Sequence, residues 1–100
     1  MMKFSELTAE QVEKSANMLK AIAHPIRIAI LNHLDKGRQL SVKEISGLIG
    51  IEQSATSHHL GILKDKGILL SKRDGKNIYY YIKDENITNI IECIGRCACN

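Results

Sequence analysis

Residues 40–69 carry the sequence LSVKEISGLIGIEQSATSHHLGILKDKGIL, and this stretch decides the fold. It opens on Ser41-Val42-Lys43-Glu44, a capping box in which the serine and glutamate side chains satisfy backbone N–H groups at the start of a helix. The pattern predicts a short helix from about Val42 to Ile49, with Gly50 at its end. Its apolar residues have the spacing of one buried face: Val42, Ile45, Leu48 and Ile49.

A second helix follows, and its two sides differ. We expect Ser54 to cap it, so that it runs from Ala55 to Lys66 and stops at Gly67. Its small and polar positions recur at i, i+3, i+4 and i+7: Ser54, Ser57, His58 and Gly61. Its apolar positions form the opposite side: Ala55, Leu60, Ile62 and Leu63. Two short helices joined by a tight glycine-containing turn predict a helix-turn-helix.

Two further helices precede this motif. Thr8 to Gln11 forms a capping box that opens the first, which carries apolar residues at helical spacing: Val12, Ala16, Leu19 and Ala23. This helix should end near His24, because a residue before proline avoids the helical region. Pro25 suits the first turn of the next helix, and Gly37 is a plausible C-terminal cap. The buried stripe of that helix is Ile26, Ile30, Leu31 and Leu34.

A β-hairpin and a last helix complete the chain. Asp74-Gly75 is a strong hairpin-turn signal, and its flanks, Ile68 to Arg73 and Asn77 to Lys83, are rich in residues that favour strands. Asp84 can cap the last helix, which has one apolar face: Ile87, Ile90, Ile91 and Ile94. The order α-α-α-α-β-β-α predicts a mainly α-helical winged helix-turn-helix. The apolar stripes of the first and last helices exceed what one small core needs, so we infer that they form a homodimer interface.

The bulk properties are those of one soluble domain covering residues 1–100. The chain is 44% hydrophobic and 25% charged, and no apolar run approaches the roughly 20 residues that span a bilayer. The N-terminal residues lack the apolar core of a signal peptide, so we expect a cytoplasmic protein with reduced thiols. Net charge is +3, but residues 53–83 contain six lysines and arginines and two aspartates, an excess of +4. The basic surface is therefore expected on the second half of the motif and the hairpin.

This charge and the polar face of the second motif helix point to double-stranded DNA. A slim polar face opposite a buried one suits a helix that enters the major groove, where its side chains can reach base edges and phosphates. The expected DNA-binding residues on this helix are Gln53, Ser54, Thr56, Ser57, His58 and Lys64. The alternative for a lone helix is a merely solvated surface; the capped helix before it and the basic hairpin after it favour DNA. His59 points to the buried side, as a satisfied core histidine.

The hairpin tip supplies a second set of basic residues. Lys72, Arg73 and Lys76 surround the turn and could contact phosphates or a minor groove, unless they are simply solvated. Tyr79 and Tyr81 alternate with other apolar residues, so at least one tyrosine face belongs to the core and an RNA-stacking platform is not indicated.

These motifs together resemble the ArsR/SmtB family of bacterial winged-helix repressors. The resemblance rests on LKAIAHPIRIAILNHL, on residues 40–69 and on RDGKNIYYYI, and it covers nearly the whole chain. It implies a homodimer joined through the first and last helices, with operator DNA bound by the helix from Ser54 to Lys66. It also implies release from DNA by an inducer, commonly a metal ion, a metalloid or a thiol-modifying species.

The inducer sites typical of that family are not present in their usual form. One metal site of that family is a Cys-x-Cys at the start of the third helix, and Ser41 and Lys43 occupy its two cysteine positions here. The zinc, nickel or cobalt site of the last helix corresponds here to Asp84, Asn86, Cys97 and Asn100, of which only Asp84 fits. A persulfide-sensing pair needs a cysteine in the second helix, where this chain has Asn32.

All three cysteines lie in the last eight residues, at Cys93, Cys97 and Cys99. Three thiolates at a flexible helix end could bind a soft ion such as As(III) or Sb(III). Some arsenic-responsive members of the ArsR/SmtB family, which this chain resembles, use cysteines in this region. A redox-sensing disulfide is the second possibility, although i, i+4 cysteines in a regular helix rarely have bridging geometry. The third is that Cys93 is a small buried apolar residue and the others are incidental.

Three classes of function compete for this fold. A dimeric DNA-binding repressor is the leading one, with inducer sensing by the cysteine tail. A winged helix used only for protein interaction is disfavoured by the polar helix face and the basic hairpin. An enzyme is rejected, because no phosphate loop, no paired acids and no supported Cys-His arrangement is present.

Overall fold

The computed structural model describes residues 6–99, and its element order confirms the winged helix-turn-helix. The helices are α1 (Ala9–Ile22), α2 (Pro25–His33), α3 (Val42–Ile49), α4 (Gln53–Asp65) and α5 (Glu85–Ala98). The strands are β1 (Leu40–Ser41), β2 (Leu69–Asp74) and β3 (Asn77–Ile82). The expected domain includes residues 1–5 and Asn100, which lie outside the described residues.

The start signals predicted for α1, α3 and α5 are confirmed. Thr8 and Gln11 exchange both bonds of the capping box that opens α1, at 2.9 and 3.1 Å. Ser41 and Glu44 do the same for α3, at 3.0 and 3.2 Å. Asp84 caps α5 by accepting a 2.8 Å bond from the backbone N–H of Asn86. These side chains satisfy helix N–H groups that have no partner inside the helix.

One strand was absent from the predicted order. β1 holds only two residues and pairs antiparallel with β3, so that Leu40 lies opposite Tyr80 and Ser41 opposite Tyr79. β2 and β3 form the expected hairpin around Asp74 and Asn77, giving a three-stranded sheet in the order β1-β3-β2. The sheet thus ties the start of α3 to the hairpin.

Several predicted details of the helices are wrong. The helix α4 begins two residues earlier than expected, with Glu52 and not Ser54 at its N-cap position and no side-chain cap. The helix α2 ends at His33 with Leu34 as C-cap, whereas Gly37 lies beyond it in a turn with φ +74°. Leu48 of α3, expected to be buried, is 48% exposed.

The core lies where α2, α3 and α4 meet the sheet. Its fully buried side chains come from all of these elements: Ile30, Leu31, Leu34, Ile45, Leu60, Leu63, Ile68 and Leu69. Burial of the apolar side of α4 is what fixes the direction of its polar side. No helix within residues 6–99 is long and apolar enough to cross a membrane.

Candidate nucleic-acid interface

The helix α4 presents a small polar face to solvent. Ser54, Ser57, His58 and Gly61 are exposed, as is Gln53 at its first turn. A Cβ added at Gly61 would meet nothing within 4 Å, so packing inside the chain does not require a glycine there. Glycine in a helix interior is destabilising relative to alanine. The side chains on this face are therefore small, and the face is accessible to a partner along about two helical turns.

Thr56 does not belong to this face, which corrects its prediction as a DNA-binding residue. Its side chain is fully buried, and its hydroxyl donates a 3.0 Å bond to the carbonyl of Glu52. With 100° of rotation per residue, Thr56 lies about 200° from Ser54 and shares the side of Leu60 and Leu63. Its spacing to those two leucines, i+4 and i+7, was a signal in the sequence for burial.

His59 lies behind the polar face and is part of a polar cluster. Its Nδ1 accepts a 3.2 Å bond from Nε of Arg27, whose Nη1 also donates to the carbonyl of Ala21 at 3.0 Å. The rings of His24 and His58 lie 4.8 and 5.7 Å from the His59 ring, centre to centre. Burial, followed by the nearby His24, Arg27 and His58, lowers the pKa of His59 below its usual value of 6.5. His59 is thus a half-buried histidine with a hydrogen-bond partner.

Arg27 was missed by the sequence reasoning. It stands within the apolar run Pro25–Leu31, where a lone arginine is a sign of a specific partner, but nothing in the sequence says that the partner is 32 residues away.

The hairpin and the end of α4 hold the predicted basic residues in solvent. Lys72, Arg73 and Lys76 are exposed around the turn, where Gly75 has φ +65°, and Lys64 is exposed in the last turn of α4. No hydrogen bond or ion pair inside the described part of the chain engages these four side chains. Their charges remain free to meet an external anion.

The cysteines do not converge into one site within a single chain. All three are exposed, and α5 remains helical to Ala98 and does not turn back. At 100° per residue, Cys97 lies about 40° from Cys93 around the helix, whereas Cys99 lies roughly 200° from Cys97. No group of three histidines, cysteines, aspartates or glutamates within residues 6–99 is placed to hold a metal ion. The carboxylate of Asp84 accepts the hydrogen bond that caps α5.

Comparison with known proteins gives the family. A family model described as "Bacterial regulatory protein, arsR family" matches residues 24–71, from α2 into the hairpin. The HTH-type transcriptional regulator YgaV of Escherichia coli is 38% identical over 87 residues, which cover 87% of this chain and 88% of YgaV.

Two solved structures share the fold over nearly their full lengths. A homodimeric winged helix-turn-helix DNA-binding domain from Mycobacterium bovis, described as a possible ArsR-family regulator, superposes with a TM-score of 0.82 at 28% identity. That alignment covers 98% of this chain and 90% of the other. The antimony-specific transcriptional repressor AntR gives a TM-score of 0.79 at 27% identity, covering 99% of this chain and 93% of AntR. This chain therefore belongs to the ArsR family of bacterial regulatory proteins and is a winged helix-turn-helix, DNA-binding transcriptional repressor.

Proposed function

We propose that this protein is a homodimer that binds operator DNA through α4 and the hairpin, and that a soft metal or metalloid at the α5 cysteines releases it. The observation that carries the DNA-binding part is the two-sided character of α4. Its apolar side is locked into the core and its small polar side is exposed, while α4 also contacts β2 of the hairpin, whose basic side chains have no partner within the described part of the chain. The protein acts by binding and not as an enzyme.

The polar side of α4 supplies the base readout in this proposal. Ser57 and His58 stand at its middle, with Gln53 and Ser54 at the N-terminal end that first enters a major groove. These side chains can donate to and accept from base edges. Phosphate contacts come from the free basic side chains: Lys64, Lys72, Arg73 and Lys76.

The test uses a duplex that the wild-type protein selects from a pool of random sequences. Ser57→Ala and His58→Ala are expected to weaken binding to this duplex by about 1 kcal/mol or more each, while binding to unrelated DNA changes little. Gln39→Ala is the control, because Gln39 is exposed between α2 and β1, outside α4, the hairpin and the two proposed dimer helices. Wild-type affinity in both α4 variants would remove this helix from the proposal.

The homodimer is supported by apolar side chains that the single chain leaves in solvent. Val12 and Leu19 of α1 are 48% and 50% exposed, and Ile90 and Ile94 of α5 are 40% and 48% exposed. Isolated exposed apolar residues are ordinary, but these recur along one face of each helix. The similar domain from Mycobacterium bovis is described as homodimeric.

The sensor part of the proposal rests on the position of two thiols. Ile90, Cys93, Ile94 and Cys97 follow the i, i+3, i+4, i+7 spacing of one helix face. A ligand bound by Cys93 and Cys97 would therefore act beside the proposed dimer surface. Thiolates prefer soft ions, and the similar repressor AntR is described as antimony-specific, so As(III) and Sb(III) are the favoured inducers. Cys99 faces away from this pair and joins them only if the helix end rearranges.

A redox switch is the competing sensor, since all three thiols are exposed to oxidants and persulfides. The two are separated by titrating the reduced, duplex-bound protein with arsenite, antimonite, cadmium, zinc and a polysulfide. We expect arsenite or antimonite to release the DNA, and Cys93→Ser with Cys97→Ser to abolish the effect. Release by polysulfide alone supports the redox switch, and release by none of these agents makes the cysteines bystanders.

A further inference from the structure

Arg27 joins three helices at one point behind the polar face of α4. It lies on α2, and its guanidinium donates to the carbonyl of Ala21 in the last turn of α1 and to Nδ1 of His59 on α4. Within residues 6–99, the Arg27–His59 bond is the only side-chain hydrogen bond that connects α4 to another helix. The preceding residue, His58, stands on the exposed face, and its ring contacts the His59 ring edge-on. The contact therefore lies between the α1–α2 junction and a proposed DNA-reading side chain.

The hydrogen bond defines the protonation state of His59. A guanidinium has only donors, so Nδ1 of His59 must accept, and the ring is neutral with its proton on Nε2. A second proton would place an N–H against Arg27 and bring two positive charges together. The other titratable groups that act on this ring, His24 and His58, are also basic and give a protonated ring no support.

We propose that Arg27 and His59 are positioning residues for DNA binding, whose hydrogen bond holds α4 against the α1–α2 junction and places the His58 ring for the major groove. The inference rests on the proposed use of α4 as the DNA-reading helix. It makes DNA binding by α4 depend on the protonation state of His59, because the Arg27–His59 hydrogen bond exists only when His59 is neutral. Protonation of His59 therefore breaks the contact and lowers affinity for the selected duplex.

The sign of the pH dependence separates this role from a direct one. Because the pKa of His59 is lowered below 6.5, the ring is neutral and the Arg27–His59 hydrogen bond is intact at neutral pH. The bond is lost only below pH 6.5, so affinity for DNA falls as the solution becomes more acidic. Direct contact of His59 with a phosphate would have the opposite sign, since a protonated imidazole binds an anion more tightly. The positioning role and the direct role of His59 thus predict opposite slopes of affinity against pH.

The experiment measures affinity for the selected duplex between about pH 5.5 and 8. Arg27→Met keeps the length of the side chain but removes its donors, and we expect about tenfold weaker binding at neutral pH. His59→Asn offers an oxygen near the position of Nδ1 and does not titrate. It should retain most neutral-pH affinity and lose the acid decline. Arg38→Met is the control, because Arg38 is exposed and makes no such contact.

Two results would overturn the inference. One is a folded, dimeric Arg27→Met protein with the wild-type affinity and pH profile. The other is a His59→Asn protein that keeps the full acid decline. If Arg27→Met does not fold, as judged by thermal melting, the His59→Asn profile decides alone. Failure of the proposed function looks different, because the wild type then selects no duplex or His58→Ala binds normally.

Discussion

Replacing Ile94 by aspartate tests the dimer at its apolar surface. Burying a whole leucine or isoleucine side chain contributes about 1.5–3 kcal/mol, so a half-exposed one still has roughly 1 kcal/mol to gain. Val12, Leu19, Ile90 and Ile94 are each close to half exposed. Two-fold symmetry doubles their sum to roughly 8 kcal/mol per dimer. This is within the range needed to offset the freedom that two chains lose on association.

Ile94→Asp removes this gain twice in a symmetric dimer and places two carboxylates in an apolar surface. We expect a loss of at least about 4 kcal/mol, which is about a thousandfold in the dimer dissociation constant. Sedimentation velocity over a range of protein concentrations measures this directly. Leu48→Asp is the matched control, because Leu48 has the same 48% exposure but lies on α3. If both variants remained dimers at the same concentrations, the α1–α5 surface would not be the interface.

Three further changes test the reading surface. Thr56→Val should lower the free energy of unfolding by about 1 kcal/mol in chemical denaturation, with unchanged DNA affinity, because its hydroxyl serves only the Glu52 carbonyl. Gly61→Ala should raise that free energy by roughly 0.5–1 kcal/mol and weaken DNA binding, since the added methyl meets nothing in the protein but narrows the approach to DNA. Lys72→Ala combined with Lys76→Ala should weaken all duplexes and reduce the salt slope of log K by about 2, as measured by fluorescence anisotropy; an unchanged slope would exclude phosphate contact by the hairpin.

The parts of this fold that the sequence predicts are those set by residues close together in the chain. The capping boxes at Thr8 and Ser41 and the hairpin turn at Asp74 each depend on contacts within three residues. The bounds of α3 follow from one such signal at each end, Ser41 and Gly50. Local chemistry decides these features before tertiary packing does.

Features that depend on tertiary packing were missed or placed wrongly. The strand β1 is too short to show any periodicity, and it forms only because Leu40 and Ser41 meet β3 some 40 residues later. Ser54 had the right chemistry for a cap, but the turn after Gly50 starts α4 earlier. The Arg27–His59 contact joins two helices that are distant in sequence, so no local pattern could predict it.

Equilibrium linkage offers a last test of what the α5 cysteines do. If a soft ion weakens DNA binding by binding reversibly to the repressor, DNA must weaken the binding of that ion by the same coupling free energy. A homodimer carries one Cys93/Cys97 pair on each chain, so we expect the fold loss of duplex affinity at saturating antimonite to equal the product of the fold losses of antimonite affinity at the two sites when duplex is saturating. Calorimetric titrations with and without the selected duplex measure both. Oxidation of Cys93 or Cys97 forms a covalent product. The equality does not apply to this product unless the oxidised and reduced forms are in equilibrium. A mismatch between the duplex factor and that product in fully reduced protein would therefore contradict reversible metalloid sensing at α5, even if antimonite releases the DNA.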